Sequence, residues 1–212
     1  MAVITMARQL GSGGASVAQR VAEMLGWRLL DRALVERIAE DLNVAPDQVD
    51  LHDERVETFV ERLGQYLSEG FPEVLPVPVL PPLSPELAAR AARKVISAVV
   101  EEGPAVIVGH GSQGLLQSDP RAFHVLVHAP LELRITRAAE RFGVGRREAE
   151  ERIRQSDSDR RRYIREHFEV EWLDPALYDL CVNTSRLGVE RAAETIRHSA
   201  DRYFEGGEGL PA

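Results

Sequence analysis

Apolar residues along this chain form short β-branched runs that alternate with stretches of helical spacing. The short runs predict five strands, at residues 2–6, 27–30, 104–108, 123–127 and 178–182. After the first run, Val17, Val21 and Leu25 recur at helical spacing. Later runs lead through Gly- or Pro-containing turns into helical sequence, which is typical of parallel βα units. The sequence therefore predicts an α/β fold with a parallel sheet.

Capping residues mark the remaining helices. Ser84 is a good N-cap, and Pro85 suits the first position of a helix that ends near Gly103. Residues 131–167 are helical in pattern and rich in arginine, and residues 188–204 predict a closing helix. All of these helices carry apolar stripes or charged faces compatible with packing on one sheet.

One segment, residues 43–83, departs from the alternating pattern. It begins as an acidic amphipathic stretch, and its last part, residues 71–82, is dense in proline. Such proline density forbids a regular helix and favours an extended connector. We interpret this segment as a helical and proline-rich excursion from a single domain that spans residues 1–212.

Composition limits the classes of protein that fit this fold. The chain has 212 residues, 44% of them hydrophobic, and a net charge of -8. The acidic balance argues against a surface that binds nucleic acid or an anionic membrane. The chain has one cysteine, no apolar run long enough to cross a bilayer and no signal-peptide pattern at its start. We expect a cytoplasmic protein that binds neither nucleic acid nor membrane and that is compatible with homo-oligomer formation.

A glycine-rich turn joins the first predicted strand to the first predicted helix. Gly11, Ser12, Gly13 and Gly14 place free backbone N–H groups beside the positive end of that helix, which suits a phosphate group. The alternative is a tight connection with no ligand. We predict that these four residues bind the phosphates of a nucleotide.

Two residues of this turn depart from the strict P-loop motif GxxxxGK[ST]. Arg8 stands where the motif has its first glycine, and Gly14 stands where it has its lysine. A lysine there neutralises charge on the transferred phosphoryl group. We expect the permanently charged Arg8 to replace it in part. Ser16 is the predicted Mg²⁺-binding hydroxyl, with an exposed serine at a helix start as the alternative.

Three stretches of the chain form a recognisable set. They are residues 4–14 (ITMARQLGSGG), residues 106–111 (VIVGHG) and residues 174–188, which begin with Asp-Pro and end in NTSRLG. Together with Asp157 and Arg160, they resemble the cytidylate-kinase-like family, bacterial relatives of cytidylate kinase among the P-loop nucleoside monophosphate kinases. The resemblance spans nearly the whole chain except the 43–83 segment.

The resemblance implies a fold, a reaction, an excursion that binds the monophosphate and a mobile lid. The fold is a three-layer P-loop kinase fold with a five-stranded parallel sheet, and the reaction transfers the γ-phosphoryl of ATP to CMP or dCMP with Mg²⁺. The 43–83 excursion would lie near the monophosphate site. Residues 144–170 would form an arginine-rich helical lid over the phosphates.

The resemblance also assigns acceptor-binding residues. Asp31 and Arg37 correspond to the segment that begins with an aspartate at the monophosphate site and ends with an arginine on its phosphate. Their alternatives are a capping aspartate and a solvated arginine. His110 occupies the place of a family arginine that reaches the monophosphate, which makes CMP a less certain acceptor. His110 is predicted to contact the substrate, with a structural histidine as the alternative.

Arginines of the lid are the predicted catalytic groups. Arg154, Arg160 and Arg161 would close over the transferring group, with Asp157 at i,i+3 to Arg160 able to orient its guanidinium and to line the substrate site. Arg134, in the preceding helix, is a candidate to cover the nucleotide. The alternative for the whole run is a solvated, salt-bridged helix.

The leading hypothesis is an ATP- and Mg²⁺-dependent kinase whose acceptor is a nucleoside monophosphate, CMP or dCMP first. One alternative is a P-loop kinase that acts on another small acceptor, since the same donor site serves many acceptors. The other is a catalytically weak nucleotide-binding regulatory protein, which the missing lysine suggests.

Overall fold

The computed structural model describes residues 2–31 and 85–205, and for residues 85–93 it describes the backbone alone. The predicted excursion at 43–83, the Ser84 cap and Arg37 lie outside the described residues. The limits predicted for the single domain and for the lid at 144–170 stay predictions.

Five strands form one sheet in the order β2-β3-β1-β4-β5, and all neighbouring strands are parallel. The strands are β1 (Val3–Arg8), β2 (Arg28–Leu30), β3 (Ala105–Val108), β4 (Ala122–His128) and β5 (Leu180–Asn183). Strands β1, β3 and β4 are almost wholly buried, which explains their continuous apolar sequence. The prediction of a five-stranded parallel sheet is confirmed.

Helices connect these strands in the right order for βα units. They are α1 (Gly14–Leu25), α2 (Pro85–Glu102), α3 (Ser112–Leu115), α4 (Leu131–Phe142), α5 (Arg146–Phe168) and α6 (Thr184–Glu205). A 3₁₀ turn at Pro175–Leu177 precedes β5. None of the helices within the described ranges is long and apolar enough to cross a membrane.

Two helix limits differ from the sequence prediction. The arginine-rich region is two helices, because Gly143 takes a left-handed conformation (φ 65°) and ends α4. The last helix begins at Thr184 and is kinked at Gly188, whose φ of 70° and ψ of -174° are not helical. The predicted start at Gly188 is therefore the kink and not the first turn.

The core joins α1 and α6 to one face of the sheet. Val17 and Val21 of α1 pack with Ala192 and Ile196 of α6 against the buried residues of β1 and its neighbours, among them Ile4. A separate apolar cluster joins α4 and α5 beside the loop that follows β1. The helices that carry arginines are thus anchored close to that loop.

The carboxyl ends of three strands are tied together at one edge of the sheet. The Gly109 N–H donates to the Met6 carbonyl at 3.0 Å, and the Gln9 N–H donates to the Val127 carbonyl at 3.1 Å. The loops after β1 and β3 therefore lie side by side. In open α/β sheets, ligands bind at this edge, beyond the carboxyl ends of the strands.

Candidate functional site

The loop after β1 leads directly into the first turn of α1. Gly13 is the N-cap residue in a left-handed conformation (φ 80°), and no side chain in the described ranges caps this turn. The Ser12 N–H donates to the Gln9 carbonyl at 3.1 Å, so it is used inside the loop. The N–H groups of the first α1 turn remain to face an anion, together with the positive end of the helix.

Close packing explains two of the glycines and the missing lysine. A Cβ atom at Gly11 would lie 2.5 Å from the Arg134 carbonyl oxygen, so the loop packs directly on the α4 backbone. A Cβ atom at Gly14 would lie 2.6 Å from the Arg8 Cβ. Real Cβ atoms do not approach other atoms this closely. No lysine fits at position 14 while Arg8 keeps its place.

A cavity of about 300 Å³ opens beside the glycine loop. Its walls include Gly11, Gly13 and Gly14 on one side and Arg137 and Arg141 of α4 on the other. The volume is at the lower end of those of small-molecule sites. The predicted phosphate loop therefore faces a space that can hold a ligand.

Arg137 is a residue of this cavity that the sequence analysis missed. Its Nη1 donates to the Ser12 carbonyl and to the Thr184 Oγ1, each at 3.1 Å, and the Thr184 hydroxyl donates to the same carbonyl at 2.6 Å. One sequence pattern could have indicated this residue: Arg137 lies three residues after Arg134, on a helix that starts just after a strand. Arg137 brings a second guanidinium to the loop.

Ser16 is exposed and lines the same cavity. In the strict motif the hydroxyl residue directly follows the lysine position, so Ala15 occupies that place and Ser16 lies one residue further on. No group of three or more His, Cys, Asp or Glu in the described parts of the chain could hold a metal. A single hydroxyl still fits Mg²⁺, which keeps several waters and binds through substrate phosphates.

A second, smaller cavity of about 30 Å³ lies between β1, α3 and α5. Its walls include Arg8, His110, Gln113, Arg160 and Trp172. Arg8 and Arg160 also line the larger cavity. The two cavities therefore meet at a pair of guanidinium side chains.

Arg160 and Arg8 are held by different partners. The Arg160 Nη1 donates to the Arg8 carbonyl at 2.9 Å, and its guanidinium lies 5.7 Å from the centre of the Trp172 ring. The Arg8 guanidinium pairs with the Asp31 carboxylate at 3.3 Å. Asp31 follows β2 directly. Three predicted site residues thus come together at one edge of the sheet.

His110 lies in the loop between β3 and α3 with unusual backbone geometry. It has a φ of 57° and is 3% exposed, and neither ring nitrogen has a hydrogen-bond partner among the described residues. Burial, and to a smaller extent the nearby Arg8 charge, lower the pKa of His110 to about 4, while Asp31 acts in the opposite direction. At neutral pH the imidazole is uncharged.

Arg134 and Asp157 form a buried ion pair behind the glycine loop. Arg134 is 3% exposed, binds both carboxylate oxygens of Asp157 at 2.8–2.9 Å, and donates through Nε to the Leu10 carbonyl at 2.9 Å. Burial raises the pKa of the Asp157 carboxyl, while the charges of Arg134, Arg160 and Arg161 oppose the shift. The bidentate partner of Asp157 is therefore Arg134, on α4. The predicted ligand contacts of both residues stay predictions.

The other lid arginines lie on the solvent side of α5. Arg154 pairs with Glu150 at 2.6 Å one turn away, and its side chain is 66% exposed. Arg161 is also exposed. The structure brings neither of them into the walls of the two cavities described above, and their catalytic roles stay predictions.

Comparison with known proteins agrees with this geometry. The sequence profile of the cytidylate kinase-like family matches residues 3–186, well over half of the chain. The chain belongs to the cytidylate kinase-like family. Among curated members, the cytidylate kinase of Methanopyrus kandleri is 27% identical over 96% of this chain and 95% of that enzyme. The cytidylate kinase of Desulfurococcus amylolyticus is 34% identical, but over 53% of this chain and 60% of that enzyme.

Solved structures support the same fold. A protein from Eubacterium ventriosum superposes with a TM-score of 0.68 at 21% identity, over 95% of this chain and 99% of that one. The shikimate kinase of Acinetobacter baumannii gives a TM-score of 0.53 at 15% identity, over 99% of this chain and 96% of that one. This member of the cytidylate kinase-like family therefore has a P-loop kinase fold, and family and fold together support a kinase of nucleotides or small molecules.

The buried pair predicts a large stability difference between two aspartates of α5. Asp157→Asn leaves Arg134 buried without its counter-charge, so we expect the free energy of unfolding to fall by about 3–5 kcal/mol. Asp159→Asn, which loses a pair with the exposed Arg162, should cost less than about 1 kcal/mol. Urea unfolding followed by circular dichroism measures both. Equal losses in the two variants would contradict the structural role of the pair.

The pKa of His110 predicts a pH-dependent loss of stability. The unfolded chain binds a proton at this histidine below its ordinary pKa of 6.5, but the folded chain does so only near 4, so stability falls as the pH drops through that window. Between about pH 7 and about pH 5 the expected loss is about 2 kcal/mol. His110→Asn removes the titrating group and tolerates the left-handed backbone.

The measurement compares urea unfolding of wild-type protein and His110→Asn across this pH range. Carboxylates titrate in both proteins, so only the difference between the two curves reports His110. As the pH falls, the free energy of unfolding of the wild type should decrease more than that of the variant. Two parallel curves would show that His110 is not buried in the neutral form.

Proposed function

We propose that this protein transfers the γ-phosphoryl group of ATP to a nucleoside monophosphate, with CMP or dCMP as the first acceptors to test. The observation that supports this most is the meeting of two cavities at Arg8 and Arg160. Phosphoryl transfer needs a donor and an acceptor held in line with positive charge between them. Two adjoining cavities that share two guanidiniums are compatible with this arrangement.

The larger cavity is the proposed donor site. The loop residues Gly11, Ser12, Gly13 and Gly14, together with the first turn of α1, supply N–H groups and the helix dipole for the ATP phosphates. Arg137 lies against the Ser12 carbonyl, close enough to add charge to the same wall. Ser16 would contribute one ligand to Mg²⁺, which when bound would neutralise part of the phosphate charge.

The smaller cavity is the proposed entrance to the acceptor site. Asp31 is held by Arg8 beside it, and Arg37 is expected to add a contact to the acceptor phosphate. An ionised phosphate oxygen attacks without a base, so no proton acceptor is required there. Binding and orientation are then the main work of these side chains.

Positive charge for the transferred group comes from arginines in this proposal. The lysine of the strict motif is replaced by Arg8, whose side chain fills the space over Gly14. Arg160 reaches the same point from α5 and is fixed on the Arg8 carbonyl. An arginine at this point contributes roughly 10³- to 10⁵-fold in related reactions, which is enough to compensate for one cation.

A second candidate function is phosphoryl transfer to another small acceptor. The neutral His110 favours it, because an uncharged imidazole is a weaker phosphate ligand than a guanidinium. A third is nucleotide binding without turnover, which the absence of a loop lysine favours. The cytoplasmic location and homo-oligomer formation stay predictions.

One assay separates these functions. Purified protein with ATP and Mg²⁺ is tested against CMP, dCMP, UMP and AMP and against a panel of small alcohols, and ATP binding is measured by calorimetry. We expect turnover with CMP or dCMP that stops when EDTA removes Mg²⁺. Turnover confined to alcohols would support the second function, and ATP binding without any turnover would support the third.

Arg160 should matter far more for turnover than a neighbouring arginine. Arg160→Ala removes the guanidinium shared by the two cavities, and we expect kcat to fall by roughly 10³-fold. Arg162→Ala removes an arginine that is 62% exposed and paired with Asp159, and kcat should change less than about threefold. Steady-state kinetics measures both, and a melting curve confirms that each variant is folded. Similar losses in both variants would contradict this role of Arg160.

A further inference from the structure

Two buried polar side chains of the small cavity carry atoms that lack a hydrogen-bond partner, although Gln113 also has a side-chain hydrogen bond with Tyr178. His110 is 3% exposed and Gln113 is 2% exposed. No hydrogen bond of ordinary geometry reaches either ring nitrogen of His110 or the Gln113 Oε1 in the described parts of the chain, and the Asp31 backbone has only a small effect on the pKa of His110. Buried polar atoms are almost always paired in folded proteins, and leaving them unpaired lowers stability. A bound ligand that supplies the missing hydrogen bonds would therefore stabilise this pair.

The backbone that carries His110 is also unusual. Three consecutive residues take left-handed conformations, with φ of 75° at Gly109, 57° at His110 and 71° at Gly111. Such a conformation is uncommon for a residue with a side chain, and it persists where the surrounding structure enforces it. The loop thus holds an unsatisfied imidazole in the cavity wall at a cost in backbone energy.

A second buried histidine shows how this fold treats a structural imidazole. His124 of β4 is 6% exposed, and a hydrogen bond of 2.7 Å joins its Nδ1 to the Thr5 Oγ1. Its backbone N–H donates to the Asp179 carboxylate at 2.7 Å. This fold can therefore give a buried histidine a hydrogen-bond partner. His110 lacks one because of its position in the cavity wall.

We infer that His110 and Gln113 form a neutral hydrogen-bonding socket that selects the phosphoryl acceptor through one uncharged O–H or N–H group. The inference rests on the proposed function for the identity of its ligand. The socket opens into a cavity of about 30 Å³, which is small beside the cavity of about 300 Å³ at the glycine loop. A cavity of this size has room for a small polar group such as a hydroxyl or an amine.

The chemistry of the two side chains defines that group. The Gln113 Oε1 only accepts hydrogen bonds, so the ligand atom must donate one. A neutral imidazole donates from one nitrogen and accepts at the other, and it can pair with the same hydroxyl or amine. A fully ionised phosphate oxygen cannot donate to Gln113. Arg8 and Arg160, in the same cavity wall, remain for the anionic part of the acceptor.

Thermal melting of the ligand-free protein tests the socket without any substrate. At about pH 8, His110→Phe replaces the two ring nitrogens with an apolar ring of similar shape, and Gln113→Met removes the unpaired Oε1 together with the hydrogen bond between the amide and Tyr178. We expect their Tm to stay within about 2 °C of wild type or to rise. The control His124→Phe breaks a buried hydrogen bond and should lower Tm by about 4 °C or more. If both socket variants lose as much as the control, the inference is overturned.

Acceptor selectivity tests the ligand chemistry. With ATP and Mg²⁺, kcat and KM are measured for CMP, for dCMP, which lacks the 2′-hydroxyl, and for UMP, which lacks the exocyclic amine. We expect the wild type to disfavour one analogue by tenfold or more, mainly through KM, and Gln113→Met to reduce that preference to within about threefold. An unchanged preference in the variant would overturn the inference. If no acceptor turns over at all, the proposed function is wrong. The melting comparison alone then shows whether His110 and Gln113 form a socket.

Discussion

The buried guanidinium of Arg134 holds three parts of this site in one arrangement. It donates to the Leu10 carbonyl in the loop after β1 and binds both carboxylate oxygens of Asp157 in α5. Its own backbone carbonyl lies so close to Gly11 that no side chain fits there. Because the pair is nearly out of contact with water, neither charge can leave without a large loss of stability. The position of α5, and with it Arg160, depends on this contact.

In the proposed donor site, the positive charges come from different positions than in the strict P-loop motif. In the strict motif a lysine follows the loop glycines. Here Arg8 occupies the space that such a side chain would need, so Gly14 has to be a glycine. Arg137 and Arg160 approach the loop from two different helices. A chain with a single lysine, Lys94, can thus still surround the loop with cations, each supplied by a rigid element.

In the smaller cavity, two side chains lower the stability of the fold because some of their buried polar atoms lack hydrogen bonds. The ring nitrogens of His110 and the Oε1 of Gln113 are buried without hydrogen bonds of ordinary geometry in the described residues, although His124 shows that the same sheet can satisfy a buried imidazole. Natural proteins tolerate such unfavourable groups mainly at functional sites. The neutral imidazole also distinguishes this cavity from one that binds phosphate through charge alone, which is why we propose that hydrogen bonding contributes to the choice of acceptor.

The sequence by itself determined the five parallel strands and the glycine turn, because strand burial and turn chemistry are local patterns that need no partner to be recognised. It also indicated Arg160, through a family motif. Only the tertiary structure decided that Asp157 pairs with Arg134, that Arg137 reaches the Ser12 carbonyl, and that Arg8 excludes a side chain at position 14. These contacts join residues far apart in the chain, and their geometry follows from how α4 and α5 pack on the sheet, which no local pattern records.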